Sequence, residues 1–90
     1  MYEIELSRSA VKYYNDLDEK RARIINRCFE TLSENPFYHP NIKKLHGEFE
    51  GSYRYRIGEL RIIYSVDKRA RRDQVYFLDI HFLSRYKLVP

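Results

Sequence analysis

Ninety residues are expected to form one domain, spanning 1–90, with a modest core and no room for a second. Nine tyrosines and five phenylalanines in a chain that is 43% hydrophobic argue against disorder, although 33% of residues are charged. A single cysteine excludes an internal disulfide; no apolar run reaches membrane-span length and no signal-peptide pattern opens the chain, so a reduced, cytoplasmic setting is expected.

The net charge of +4 is unevenly placed. Residues 1–42 hold six Lys/Arg against seven Asp/Glu, a balance of −1. Residues 43–90 hold eleven against six, a balance of +5. The second half therefore suits a polyanion or an acidic protein partner.

Tyr2-Glu3-Ile4-Glu5-Leu6 alternates and predicts a short strand. Ser7 or Ser9 is a good helix N-cap, and Ala10, Val11, Tyr13, Tyr14 and Leu17 give the first helix an apolar side. Asp16-Leu17-Asp18 breaks the pattern and caps a second helix over about 19–34. Its stripe is Ile24, Ile25, Cys28, Phe29 and Leu32. Cys28 reads as a buried structural thiol. Asn35-Pro36 ends the helix, because the residue before proline avoids the α region.

Residues 36–51 read as an irregular connector carrying Lys43, Lys44 and His46. Two strands follow, 53–58 and 60–66, joined at Gly58-Glu59. Asp67 to Asp73 reads as a charged turn holding Lys68, Arg69, Arg71 and Arg72. Residues 74–82 give a last strand, and Ser84-Arg85-Tyr86-Lys87 a basic, aromatic tail. The order strand, helix, helix, strand, strand, strand predicts an α+β fold. In it, an N-terminal strand and a three-stranded antiparallel meander form one four-stranded sheet with the helical hairpin on one face. The other face is left for a ligand or partner.

Arg54 and Arg56 are two apart on a strand, so both point to one face, while Tyr53, Tyr55 and Ile57 point to the other. With Arg61 they make a guanidinium set suited to gripping phosphate oxygens. Arginine is a poor proton carrier near neutrality. A group that transfers protons must be sought elsewhere: His81 first, His46 second, with Glu48, Glu50 and Glu59 as possible bases. His39, His46 and His81 show neither HxH nor HExxH spacing, so neither metal nor cofactor is expected. Lys43, Lys44, His46, Lys68, Arg69, Arg71, Arg72 and Lys87 are candidates for contacts to nucleic-acid phosphates. The competing reading of those charges is a solvated surface.

The string Lys44-Leu45-His46-Gly47, then Gly51-Ser52-Tyr53-Arg54-Tyr55-Arg56-Ile57-Gly58, then Leu60-Arg61-Ile62-Ile63-Tyr64 resembles the RelE/ParE superfamily of bacterial toxins. The resemblance covers most of the chain. It implies a RelE-like fold and a toxin of a type II toxin–antitoxin system. In the RelE branch the activity is a ribosome-dependent, metal-independent endoribonuclease that cuts mRNA in the A site. It implies an antitoxin partner, ribosomal RNA and mRNA as further partners, no membrane, and oligomers only through the antitoxin complex. By position, Arg54 and Arg56 match basic residues that help activate the 2′-hydroxyl and bind the phosphate. Arg61 matches an arginine that stabilises charge on the scissile phosphate. Tyr86 falls near a tyrosine that orients a base; opposite an arginine proposed as the acid stands either Leu83 or, with a one- or two-residue slip, Arg85. The chain departs from the family's Gly-His/Lys-Arg-Arg cluster here, reading Ile80-His81-Phe82-Leu83-Ser84-Arg85-Tyr86. Two alternatives follow: a ParE-like toxin acting on gyrase, and a non-nucleolytic binding protein of the same fold.

Overall fold

The structure is a computed structural model and describes residues 2–67 and 74–82. Strand β1, Glu3–Leu6, leads into helix α1, Arg8–Asn15, and helix α2, Glu19–Glu34. Then come β2, Ile42–Lys44, a single 3-10 turn at Gly47–Phe49, β3, Ser52–Ile57, β4, Leu60–Asp67, and β5, Gln74–Phe82.

The helices start where their caps dictate. The Ser7 hydroxyl accepts a hydrogen bond from the Ala10 amide at 3.1 Å, and the Asp18 carboxylate accepts one from the Arg21 amide at 2.9 Å. Each satisfies an amide that has no partner inside the helix. Helix α2 ends at Asn35, whose side-chain oxygen then accepts from the amides of Phe37 and Tyr38. That turn carries the chain past Pro36 toward the sheet edge.

The strands form one sheet in the order β1-β5-β4-β3-β2. The meander β3-β4-β5 is antiparallel as expected, and β1 lies parallel to β5. The sheet has five strands rather than four, because part of the connector pairs as β2 with β3. The sequence gives β2 little away: only Ile42 of its three residues is apolar. An edge strand with one partner needs no hydrophobic pattern of its own. At the other end of β3, Gly58 and Glu59 form a two-residue hairpin loop. Gly58 alone of the two has a positive φ, 57°, a conformation that favours glycine.

Helix residues Ala10, Ile25, Cys28 and Leu32 pack with Tyr55, Leu60, Ile62, Tyr64, Val75, Phe77 and Ile80 into one buried cluster. Both helices therefore cover the same sheet face. Burying a side chain such as Ile25 or Leu32 contributes about 1.5–3 kcal/mol each. Rings continue the core sideways: Phe29 lies 5.2 Å from Phe77, Tyr53 stacks 5.7 Å from Tyr64, and Phe37 meets Tyr53 edge-on at 5.6 Å. The Tyr64 hydroxyl, deep in this stack, donates to the Pro36 carbonyl at 2.7 Å. One bond thus ties the start of the connector to the middle of the sheet.

Tyr64→Phe is expected to leave the Pro36 carbonyl without its donor and to lower stability by about 1–3 kcal/mol, read as a reduced urea midpoint at unchanged m-value. Burial also pushes the Cys28 thiol up from 9.0 to about 11, a hydrogen bond from Tyr55 opposing it in part, and raises Tyr64 above the usual tyrosine range. Both groups keep their protons in the folded state after the unfolded chain has lost them. Stability from these groups is therefore full below pH 9 and falls as pH rises above it. Urea titrations from pH 8 to 11 should show this decline, and Cys28→Ala should delay its onset to near pH 10.

Candidate functional site

The face of the sheet turned away from the helices is built in rows by strand register. Arg56 of β3 sits opposite Arg61 of β4, which sits opposite His81 of β5. One step along, Lys43, Arg54, Ile63 and Asp79 align across β2, β3, β4 and β5. Paired residues share a face, and steps of two along a strand preserve it. Five basic side chains and one acidic one, from four strands, are thus gathered on one surface, as the alternation of Arg54 and Arg56 predicts.

The grouping carries an energetic cost. Arg56 and Arg61 lie directly opposite each other, and like charges so placed disfavour pairing by about 0.2–1 kcal/mol. The Nε atoms of Arg54 and Arg61 are buried and have no hydrogen-bond partner among the described residues. Arg56 and His81 are exposed; Arg54 and Arg61 are half-buried. No carboxylate forms an ion pair with these three arginines among the described residues. Such a set fits an external anion, which would supply the opposite charge that no described residue pairs with these guanidiniums.

Beside the rows lies a cleft of about 460 Å³ lined by Pro40, Asn41, Ile42, Lys43, Arg54, Arg56 and Gly58. Its outer wall is the connector, held by hydrogen bonds. The Asn41 side-chain amide donates to the Arg56 carbonyl at 2.6 Å, and the Arg56 amide donates to the Asn41 carbonyl at 3.1 Å. The Asn41 amide donates to His39 Nδ1 at 3.0 Å. His39 is a turn residue packed on Tyr55, ring centres 5.4 Å apart.

Other expected residues fall elsewhere. Lys44 pairs with Tyr53, so it points toward the helix side of the sheet edge, away from Lys43. His46 caps the 3-10 turn and is exposed, as are Glu48 and Glu50. Glu59 lines a separate cavity of about 700 Å³ on the helix side, with Arg21, Arg27, Cys28 and Phe82. Lys68, Arg69, Arg71, Arg72, Arg85, Tyr86 and Lys87 lie outside the described residues. Among the described residues no cluster of three or more His, Cys, Asp or Glu could hold a metal ion, and no helix is long and apolar enough to cross a membrane.

Asn41 and Asp79 belong to this surface and were not among the expected residues. Asn41 reaches it only because the connector folds back on β3. Asp79 was legible as a partner of His81, two residues on, but an acid beside three arginines is not what a phosphate grip suggests.

The family model described as ParE toxin of type II toxin-antitoxin system, parDE, matches residues 4–81. No curated protein matches the sequence. Among solved structures, a YoeB/ParE toxin from Agrobacterium tumefaciens superposes with a TM-score of 0.76 at 18% identity, covering 91% of this chain and 99% of that one. The RelBE2 toxin–antitoxin complex from Mycobacterium tuberculosis gives 0.75 at 23%, covering 90% and 96%. The archaeal RelE–RelB complex from Pyrococcus horikoshii gives 0.74 at 24%, covering 94% and 98%. At these identities the likeness is one of fold.

Asn41→Ala is expected to lower stability by about 0.5–1.5 kcal/mol through the lost bond to the Arg56 carbonyl. Faster hydrogen exchange at the Arg56 amide, whose acceptor is Asn41, should accompany it in NMR. An unchanged exchange rate would mean the connector is held by other contacts.

Proposed function

The chain belongs to the ParE toxin family of type II toxin–antitoxin systems, within the RelE/ParE superfamily, and on that footing we propose that it is an endoribonuclease that cuts mRNA in the ribosomal A site. The observation that carries this reading is the row Arg56–Arg61–His81, with Arg54 and Lys43 one step away. Guanidiniums and an imidazole on one exposed surface are the groups that RNA cleavage by its own 2′-hydroxyl requires.

The reaction needs no outside nucleophile. The 2′-hydroxyl gives its proton to a base, and its oxygen forms a bond to the adjacent phosphorus. The bond from phosphorus to the 5′-oxygen breaks, and that oxygen takes up a proton. The products are a 2′,3′-cyclic phosphate and a 5′-hydroxyl end. Arg54, Arg56 and Arg61 hold the phosphate and offset the extra negative charge on its oxygens. They remain cationic throughout, so proton transfer falls to another group. His81 shares the row with Arg61, and an imidazole can accept or donate a proton near neutrality. Arg85 and Tyr86 follow it in the chain: Tyr86 keeps the base-orienting role that the resemblance assigns, and Arg85, a guanidinium like the others, would offset charge rather than move a proton.

An antitoxin is the natural partner. The +5 balance of residues 43–90 favours an acidic segment laid over the same surface, which would occlude the phosphate grip.

A second reading has the family-model match in its favour, since that model is of ParE toxins: inhibition of DNA gyrase without nuclease chemistry. The two diverge in expressing cells. Under the ribonuclease reading, primer extension on a reporter mRNA shows new 5′ ends within codons. Under the other, those ends are unchanged while gyrase-cleaved DNA and an SOS response accumulate. Arg61→Ala should cut the cleavage rate by about 10²–10³-fold with an unaltered circular dichroism spectrum. Retained cleavage in that variant would remove Arg61 from the mechanism.

A further inference from the structure

Beyond the two cationic rows, the open face continues into residues that the phosphate grip does not use. Ser52, Ser65, Tyr76 and Glu5 align as a third row across β3, β4, β5 and β1. Asp67, Gln74 and Glu3 align as a fourth. With histidine neutral, the formal charge is +2 over the first row, +1 over the second and −1 over the third. A phosphate backbone is drawn to the first two rows.

At the sign change stands Tyr76. It is half-buried yet takes no part in the hydrophobic cluster, unlike Tyr53, Tyr64 and Phe77 on the opposite face. Ile63, also half-buried and outside that cluster, lies diagonally across from it on β4. Together they make an apolar step on an otherwise polar surface. Two strands and one row separate Tyr76 from Arg54, about 12 Å between backbones at ordinary sheet spacings.

We propose that Tyr76, flanked by Ile63, is a stacking platform for one unpaired RNA base whose phosphate is held by Arg54 and Arg61. This rests on the ribonuclease reading. The charge gradient sets the polarity: phosphate toward β3 and the hairpin end, base toward β1. A bare aromatic face stacks any base, so the platform contributes affinity and alignment with little sequence preference.

The test is single-turnover cleavage of a defined mRNA on purified ribosomes, with the protein titrated. Tyr76→Ala should raise the half-saturating concentration by roughly 5- to 150-fold, the worth of one stacked base. Tyr76→Phe, which keeps the ring and the fold, should stay within about twofold. An abasic nucleotide moved along the codon should weaken the wild type at one position, and Tyr76→Ala should show no further loss there. Cleavage by the wild type with Tyr76→Ala unaffected, or weakened equally at every abasic position, overturns the platform and leaves the ribonuclease reading standing. No cleavage by the wild type overturns both.

Discussion

The whole arrangement depends on a single register shift in the sheet. Between Ile63 and Tyr64 the pairing of β4 with β5 skips one residue, so that Ile63 faces Asp79 but Tyr64 faces Phe77. Leu78 is the extra residue of this bulge. Strict alternation from His81 would put Asp79 and Phe77 on the same face, with Tyr76 on the other. The bulge resets the parity: Phe77 enters the core against Tyr64 and Phe29, and Tyr76 comes out beside Ser65. A sheet with one covered face cannot tolerate a parity error, because a one-residue slip exchanges its apolar and polar sides. The bulge is what lets one nine-residue strand serve the core at both ends while keeping His81 and Asp79 on the open face.

With parity settled, each face imposes a constraint on the other. On the covered face the stack of Phe29, Phe77, Tyr64, Tyr53 and Phe37 fixes the positions of β3, β4 and β5 relative to one another. Because side chains on the two faces share one backbone, that packing also fixes where Arg54, Arg61 and His81 stand. The cations themselves would not choose this arrangement. Arg56 opposite Arg61 is repulsive, and the Nε atoms of Arg54 and Arg61 are buried without partners in the described chain. The core and the Tyr64–Pro36 bond hold the sheet together against that repulsion. Local disagreement of this kind, a pattern that costs stability without a structural return, is the mark of a surface kept for a ligand.

Much of this was legible in the sequence, for reasons that can be traced. Helix α2 begins at Glu19 because Asp18 caps it and ends before Asn35-Pro36, and both signals are local. The hairpin at Gly58-Glu59 and the shared face of Arg54 and Arg56 follow from turn chemistry and period two. What escaped depends on contacts distant in sequence. Strand β2 exists because the connector meets the free edge of β3, and Ile42-Lys43-Lys44 has no pattern to announce it. Asn41 braces Arg56 across fifteen residues of chain. Lys44 could be placed opposite Lys43 only once both were known to lie in a strand. Tyr76 was hidden by the bulge, since a simple alternation assigns it to the wrong face.

The same geometry separates two tasks that the sequence presents together. A guanidinium binds phosphate oxygens well because it stays charged, and for that reason it cannot carry the proton that strand cleavage must move. On the proposed ribonuclease reading, binding therefore falls to β3 and β4, where Arg54, Arg56 and Arg61 stand. On that same reading proton transfer falls to β5, at His81. These parts meet only because β4 pairs with both neighbours, which puts Arg61 in line with Arg56 on one side and His81 on the other. Among the described residues, Arg61 is the cation that pairs with both Arg56 and His81. A toxin acting by protein contact alone would have no need of that alignment, since charge complementarity works wherever the cations are exposed. The alignment, more than the number of basic residues, is what favours chemistry on a phosphodiester over simple attachment to an acidic partner.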